Sequence, residues 1–423
     1  MATSRRRLLK SFSLASLGRY CPVPAAAASK RSDNIYQLLG VRPLMNFRGT
    51  HTAIGASKQW PELHEAMAEA ARYYVDLDEL QDKIGVRLAS LIGSESAMVT
   101  TGAAGAITLG TCACLTGADQ KKIRRLPDLT GMKSEVVIQK VHRNSYDHAV
   151  RNAGVRIVEV ENRAQLLNAV GDQTAMMYYL GGTTGDWAWA TPVALEECLA
   201  LGRKVGFPIL VDAANMLPPW GNVCKLAALK TDLICVSGGK HVRGPQCSGI
   251  LAGRKDLIVA ARLNSNPHSD ALGRPLKVGR EEMIGLWLAT EKYAKLDFAR
   301  LDRQSFEQAE YLMGGLRKVP GLKVNYVPHD RTRRVYRLLV EWDEQELGLT
   351  DAECERQLLD GDPRIAVLRN EAQGIILTVF MNDPGDERLL LARMKQILSV
   401  SHGCGGCEPA TMPLASRLRL TQW

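Results

Sequence analysis

No run of eighteen or more apolar residues occurs in the 423-residue chain, so no helix long and apolar enough to cross a bilayer is expected. No internal repeat is visible, which excludes an array of stacked repeats. The first 29 residues contain no acid, while Arg5, Arg6, Arg7, Lys10 and Arg19 supply five positive charges. Removing those five from the formal +9 leaves +4. That is too little on so large a body to indicate nucleic-acid binding. Basic residues elsewhere are scattered. Arg331, Arg333 and Arg334 form one local cluster, expected to be a solvated loop. Cys404 and Cys407 make a C-x-x-C with no second pair, so no metal site is expected. A disulfide, a redox pair and no role all remain open. Of the ten cysteines, Cys112, Cys114, Cys198, Cys235 and Cys247 lie in apolar surroundings and are expected to act as small core residues.

What is present is ample apolar material: 46% of residues are hydrophobic, enough for two or more packed units in a chain of this length. Ser4-Arg5-Arg6-Arg7-Leu8-Leu9-Lys10 matches the twin-arginine export pattern. A mild apolar stretch, Ser11 to Gly18, follows, then small residues at Ala25 to Ala28. Residues 1–29 are therefore expected to be a signal peptide that addresses a folded protein to the periplasm through the twin-arginine machinery. The alternative is a basic arm on a cytoplasmic protein.

After residue 30, helical and extended patterns alternate. Pro61–Tyr74, Leu77–Leu91 and Thr191–Val205 read as helices. Ala97–Thr100, Val136–Gln139, Ile157–Val160, Ala175–Tyr179, Pro208–Val211, Leu233–Val236 and Gly249–Ala252 read as short strands. Strands alternating with helices predict a mostly parallel sheet covered on both faces, within residues 30–294. From residue 295 to 400 the pattern predicts a smaller α+β domain. Its helices are Leu301–Leu316 and Glu387–Leu398, and its strands are Val324–Tyr326, Tyr336–Glu341 and Gly374–Val379. Residues 401–423, punctuated by Gly and Pro, are expected to be a loose tail.

Four motifs fall just after strands. Ser237-Gly238-Gly239-Lys240 puts an amine at a strand end, near the carboxyl edge where open α/β sheets bind ligands. Burial there lowers an amine's pKa and makes it a usable nucleophile and base. Alone, a Lys in an exposed tight turn would explain the motif equally well. However, Asp212, in Val211-Asp212-Ala213-Ala214-Asn215, ends the preceding strand one crossover away. Sequential parallel strands tend to be neighbours, so both groups face one crevice. A carboxylate so placed can keep a pyridinium nitrogen protonated, as pyridoxal 5′-phosphate (PLP) requires. Its alternative is a helix N-cap. Thr100-Thr101-Gly102-Ala103-Ala104-Gly105 opens a helix with small residues. Thr101, Gly102 and Ala103 can bring backbone N–H groups to a phosphate, with Ser237 adding a hydroxyl, although small residues cap many helices. His142 follows the strand Val136–Gln139 and is placed to cover the PLP ring. A loop histidine bonded to its neighbours is the alternative, with Tyr146 and His148 as substitutes.

With these motifs in this order, the chain resembles the fold-type I PLP-dependent enzymes, in the selenocysteine synthase-like branch and nearest the D-glucosaminate-6-phosphate ammonia-lyase type. The matching pieces also include Asp78-Glu79-Leu80-Gln81-Asp82-Lys83, Leu126-Pro127-Asp128, Arg243-Gly244-Pro245-Gln246 and Lys277-Val278-Gly279-Arg280-Glu281, and the likeness runs from about residue 34 to about residue 398. The resemblance implies an aminotransferase-like fold, a homodimer or higher homo-oligomer, and PLP bound as a Schiff base on Lys240. It also implies α,β-elimination from a small amino acid or amino sugar acid. The stretch Ile375 to Met381 departs from the pattern: Phe380 stands where related enzymes carry an Arg for the substrate carboxylate. Arg369, Arg48 and Arg280 are the substitutes the sequence offers. A seryl-tRNA selenium transferase is the second function implied. The likeness starts near the end of the export segment, leaving no room for that enzyme's extra tRNA-binding domain. A non-catalytic binding protein of the same fold is the third.

Overall fold

The computed structural model describes residues 34–181, 191–328 and 333–400. The export segment, Arg331, Cys404 and Cys407 lie outside them. Residues 34–44 form a short unit of their own, a 3-10 turn at Gln37–Leu39 closed by Gly40 at φ +69.

From Met45 onward, β1 (Met45–Asn46), α1 (Glu62–Ala70) and α2 (Leu77–Ile92) lead to the large sheet. Asp76 caps α2 by accepting from the amides of Asp78 and Glu79, which satisfies two otherwise orphaned donors. The chain then alternates β2 (Ser96–Thr100), α3 (Gly102–Thr116), α4 (Gln120–Arg125), β3 (Glu135–Gln139), α5 (His148–Arg151), β4 (Arg156–Val160), α6 (Arg163–Ala169), β5 (Thr174–Leu180), α7 (Leu195–Val205), β6 (Ile209–Asp212), α8 (Gly221–Ala228) and β7 (Leu233–Ser237). A hairpin-like return, β8 (Gly249–Gly253), is followed by α9 (Lys255–Leu263) and α10 (Arg280–Ala294).

The seven strands stand in the order β2-β8-β7-β6-β5-β3-β4. From β7 to β4 all pairs are parallel, and β8 runs antiparallel to both its neighbours. Successive side chains leave opposite faces. Val99, Val137, Met177, Val211 and Ile234 therefore meet α2, α7, α8 and α10 on one side. Met98, Ile138, Tyr178, Leu210 and Cys235 meet α3, α5 and α9 on the other. Helix α3 is apolar all round and buried from Gly105 to Ala113, as a helix wedged under a sheet must be.

The smaller body holds α11 (Phe298–Leu316), β9 (Lys323–Tyr326), β10 (Tyr336–Glu341), α12 (Glu344–Leu347), α13 (Asp351–Asp360), β11 (Ile365–Ala366), β12 (Leu368–Arg369), β13 (Ile375–Val379) and α14 (Asp386–Val400). Its four-stranded antiparallel sheet has the order β12-β13-β10-β9. One stretch crosses between the bodies: β1 pairs in parallel with β11, and Phe47 is buried in the smaller core.

Two expectations change. Arg333 is 5% exposed and not part of a solvated loop, because it turns inward to bond the Leu217 carbonyl and His241. Its neighbour Arg334 does stay outside, on Asp302. Cys247 is exposed rather than a core residue, since it lies in the turn before β8 and not within a strand; Cys112, Cys198 and Cys235 are buried, and Cys114 partly so.

Candidate active site

The parallel strands β3, β5, β6 and β7 end along one edge, and the sequence motifs meet there. Lys240 follows β7. The turn is tight: a Cβ on Gly239 would stand 2.6 Å from the Gln246 Cα and 2.8 Å from its carbonyl oxygen, so only glycine fits. The Ser57 hydroxyl lies 2.7 Å from both the Gly239 and Lys240 carbonyl oxygens and tethers the turn. Among the described residues, Lys240 Nζ has no hydrogen bond or ion pair. Burial lowers its pKa, Asp212 opposes that shift, and the Arg333 charge adds to it.

Asp212 ends β6 beside β7, in register with Cys235. Its carboxylate accepts from the Tyr178 hydroxyl at 2.8 Å and from the Ala214 amide at 3.0 Å. The second bond belongs to a turn rather than a helix cap. Tyr178 is fully buried on β5. Burial and the neighbouring carboxylate push its phenol far above the usual range, so it remains a donor. The Cys235 thiol lies 3.3 Å from the Ala103 carbonyl and 3.8 Å from Asp212 Oδ1. It joins the start of α3 to the acid, and burial next to that acid keeps it protonated.

At the start of α3, Thr101 makes no side-chain cap and the first turn holds no acid. Its leading N–H groups are therefore free of the usual side-chain partners, as a phosphate site needs. Ser237 pairs with Gly249 across β7 and β8. A Cβ on Gly249 would meet the Gly102 carbonyl carbon at 2.5 Å. Ser237 thus lies one strand from this helix terminus.

His142 is buried on a 3-10 turn after β3. Its Nδ1 accepts a long bond, 3.4 Å, from the Leu180 amide, and Nε2 lies 3.4 Å from the Thr191 hydroxyl. The ring packs edge-on to Tyr179 at 4.5 Å. Burial lowers its pKa to about 4. Tyr146 and His148 point to solvent.

The candidate substrate arginines fare differently. Arg280 donates to the Ala70 and Ala71 carbonyls, and Arg369 sits on Asp351 at 3.0 Å. Arg48 is buried, 3.6 Å from Glu355. Its charge and that of Lys240 both depress the pKa of His51, after burial. Tyr178, Ser57, His51 and Arg333 were missed in the sequence. Only Tyr178 left a signal, a phenol in an apolar buried strand that needs a partner. A separate cleft of about 620 Å³ opens at the opposite edge, lined by Cys114, Lys122, Arg203, Asp232 and Arg254; none of the motif residues borders it.

The Lys240 site fits PLP by its own unmet needs among the described residues: a buried amine without a partner, a buried carboxylate with lone pairs to spare, and a helix start with no side-chain cap. No protein-family model matches the chain. It is 33% identical over 340 residues to the 5′-C-glycyluridine monooxygenase-decarboxylase of a Streptomyces species, covering 78% of this chain and 83% of the relative. It is 30% identical over 382 residues to the D-glucosaminate-6-phosphate ammonia lyase of Salmonella typhimurium, covering 86% and 98%. A solved D-glucosaminate-6-phosphate ammonia-lyase superposes with a TM-score of 0.74 at 27% identity, covering 88% and 99%. The chain is therefore an enzyme of the fold-type I PLP-dependent class, in the selenocysteine synthase-like branch, and belongs to the family of D-glucosaminate-6-phosphate ammonia lyase.

Proposed function

We propose that this enzyme is a lyase removing the amine of a small amino acid or amino sugar acid by α,β-elimination, with PLP held covalently on Lys240. The observation that carries this is the amine of Lys240 at a strand end, buried and unpartnered among the described residues, beside the Asp212 carboxylate. Bound there, PLP would supply an electron sink for the bond broken at the substrate Cα.

The chain's own groups divide the remaining work. Asp212, fixed by Tyr178, would hold a proton on the ring nitrogen. The leading amides of α3 at Gly102 and Ala103, with Ser237 and Thr101, would hold the phosphate. His142, neutral at physiological pH, would pack against the ring. Lys240, its pKa lowered by burial and by the charge of Arg333 against the opposing pull of Asp212, takes the Cα proton as general base. Departure of the β-substituent and hydrolysis leave a keto acid and ammonia. A visible absorption band lost in Lys240→Ala, and borohydride labelling mapped to Lys240, test the linkage. A label on another residue defeats it. Ammonia and a keto acid released from an amino sugar acid test the reaction.

The 33% identity to a monooxygenase-decarboxylase supports a second reading, loss of CO₂ from the substrate with uptake of oxygen. An oxygen electrode and CO₂ trapping separate the two. Three further points belong to this proposal. The exposed apolar residues Tyr73, Tyr74, Val75 and Val86 suit burial against a second copy of the chain, in a homodimer or larger homo-oligomer. Sedimentation velocity tests that. Among the described residues no helix is long and apolar enough to cross a membrane. Export by the twin-arginine route rests on residues 4–10, and N-terminal sequencing of periplasmic protein tests it.

A further inference from the structure

Position 380, where the family resemblance leads one to expect an arginine for the substrate carboxylate, is a phenylalanine, yet Phe380 and a guanidinium, Arg333, both touch His241. In the β10–β13 pair Tyr336 faces Val379, so Arg333 lies on the neighbouring chain segment at the same end as Phe380. The Phe380 ring is 4.4 Å from the ring of His241, the residue after Lys240. Arg333 Nη2 lies 3.1 Å from His241 Nε2, and Arg333 Nε donates to the Leu217 carbonyl at 2.7 Å. A guanidinium only donates, so Nε2 of His241 accepts and its ring is the neutral Nδ1–H form. Burial and the charges of Arg333 and Lys240 keep it neutral. Among the described residues, that Nδ1 is buried without a hydrogen-bond partner. The His241 ring and the Leu217 carbonyl thus fix the plane of a buried guanidinium near the lysine, next to an unused donor. A carboxylate suits such a corner.

We propose that Arg333, oriented by His241 and the Leu217 carbonyl, grips the carboxylate of the substrate, replacing the arginine absent at Phe380. This rests on Lys240 being the cofactor lysine. The test uses the holoenzyme and two carbonyl reagents that share one reactive group, aminooxyacetate and O-methylhydroxylamine. Only the first carries a carboxylate. Loss of the visible band gives each rate, divided by the same reagent's rate with free PLP. The wild type should prefer aminooxyacetate roughly tenfold or more, as one charge-assisted hydrogen bond allows. Arg333→Gln should bring the ratio near one, and Arg369→Gln should leave it intact. An unchanged ratio in Arg333→Gln overturns the proposal. If that variant does not fold, Arg333→Lys replaces it, because a point donor cannot reproduce a two-pronged grip; a wild-type ratio there overturns the proposal too. A wild type with no visible band sinks the cofactor assignment, and this proposal with it.

Discussion

Replacing Tyr178 by phenylalanine removes one hydroxyl and leaves the ring in place. That hydroxyl is fully buried and donates to Asp212 at 2.8 Å. A hydrogen bond to a charged acceptor contributes about 1.5–3 kcal/mol. The buried carboxylate also loses a donor that water cannot replace. Tyr178→Phe should therefore lower unfolding free energy by about that amount. The assay is a double-mutant cycle by urea unfolding, with wild type, Tyr178→Phe, Asp212→Ala and the double variant. In the Asp212→Ala background the hydroxyl has lost its charged acceptor, so the tyrosine change should cost little. The expected coupling is about 1.5–3 kcal/mol. Equal costs in both backgrounds would refute the bond as a support for Asp212. The visible band should survive Tyr178→Phe, since the covalent attachment is on Lys240.

Other outcomes follow from the same geometry. Lys240→Ala should abolish the visible band and the pyridoxyl label while keeping the far-ultraviolet circular dichroism of the fold. Gly239→Ala drives a methyl against the Gln246 backbone and should displace the lysine turn, costing about 1–3 kcal/mol in urea unfolding and weakening PLP retention. His142 has its folded pKa lowered from 6.5 to about 4, so the unfolded chain binds the extra proton first. Its contribution is then complete above about pH 6.5 and is lost as pH falls toward 4, up to roughly 3 kcal/mol. Unfolding measured between pH 4 and pH 7 should show that slope flatten in His142→Phe, and an unchanged slope counts against it.

The strand ends were legible because buried parallel strands announce themselves as short apolar runs, and functional groups cluster where those runs stop. Lys240, Asp212 and His142 all stand at such ends. What stayed hidden depends on which strand lies beside which. Leu180 pairs with Asp212, and the two-residue period puts Tyr178 on the same face as Leu180. Nothing in the spacing between Tyr178 and Asp212 reveals this. Arg333 misled for a related reason. Three arginines within four residues look solvated, and only the fold shows that the second turns inward to a carbonyl 116 residues away. Phe47 lies early in the chain yet fills the smaller core through the ladder between β1 and β11, a pairing of strands some 320 residues apart.

That ladder works as a rein. Asn46 and Phe47 are stitched to the smaller body, through the Asn382 amide on the Asn46 carbonyl and the Thr378 amide on the Phe47 carbonyl. Ten residues later, Ser57 grips the two peptide oxygens at the lysine turn. The short stretch between them, which carries Arg48 and His51, therefore ties the smaller body to the lysine turn at both ends.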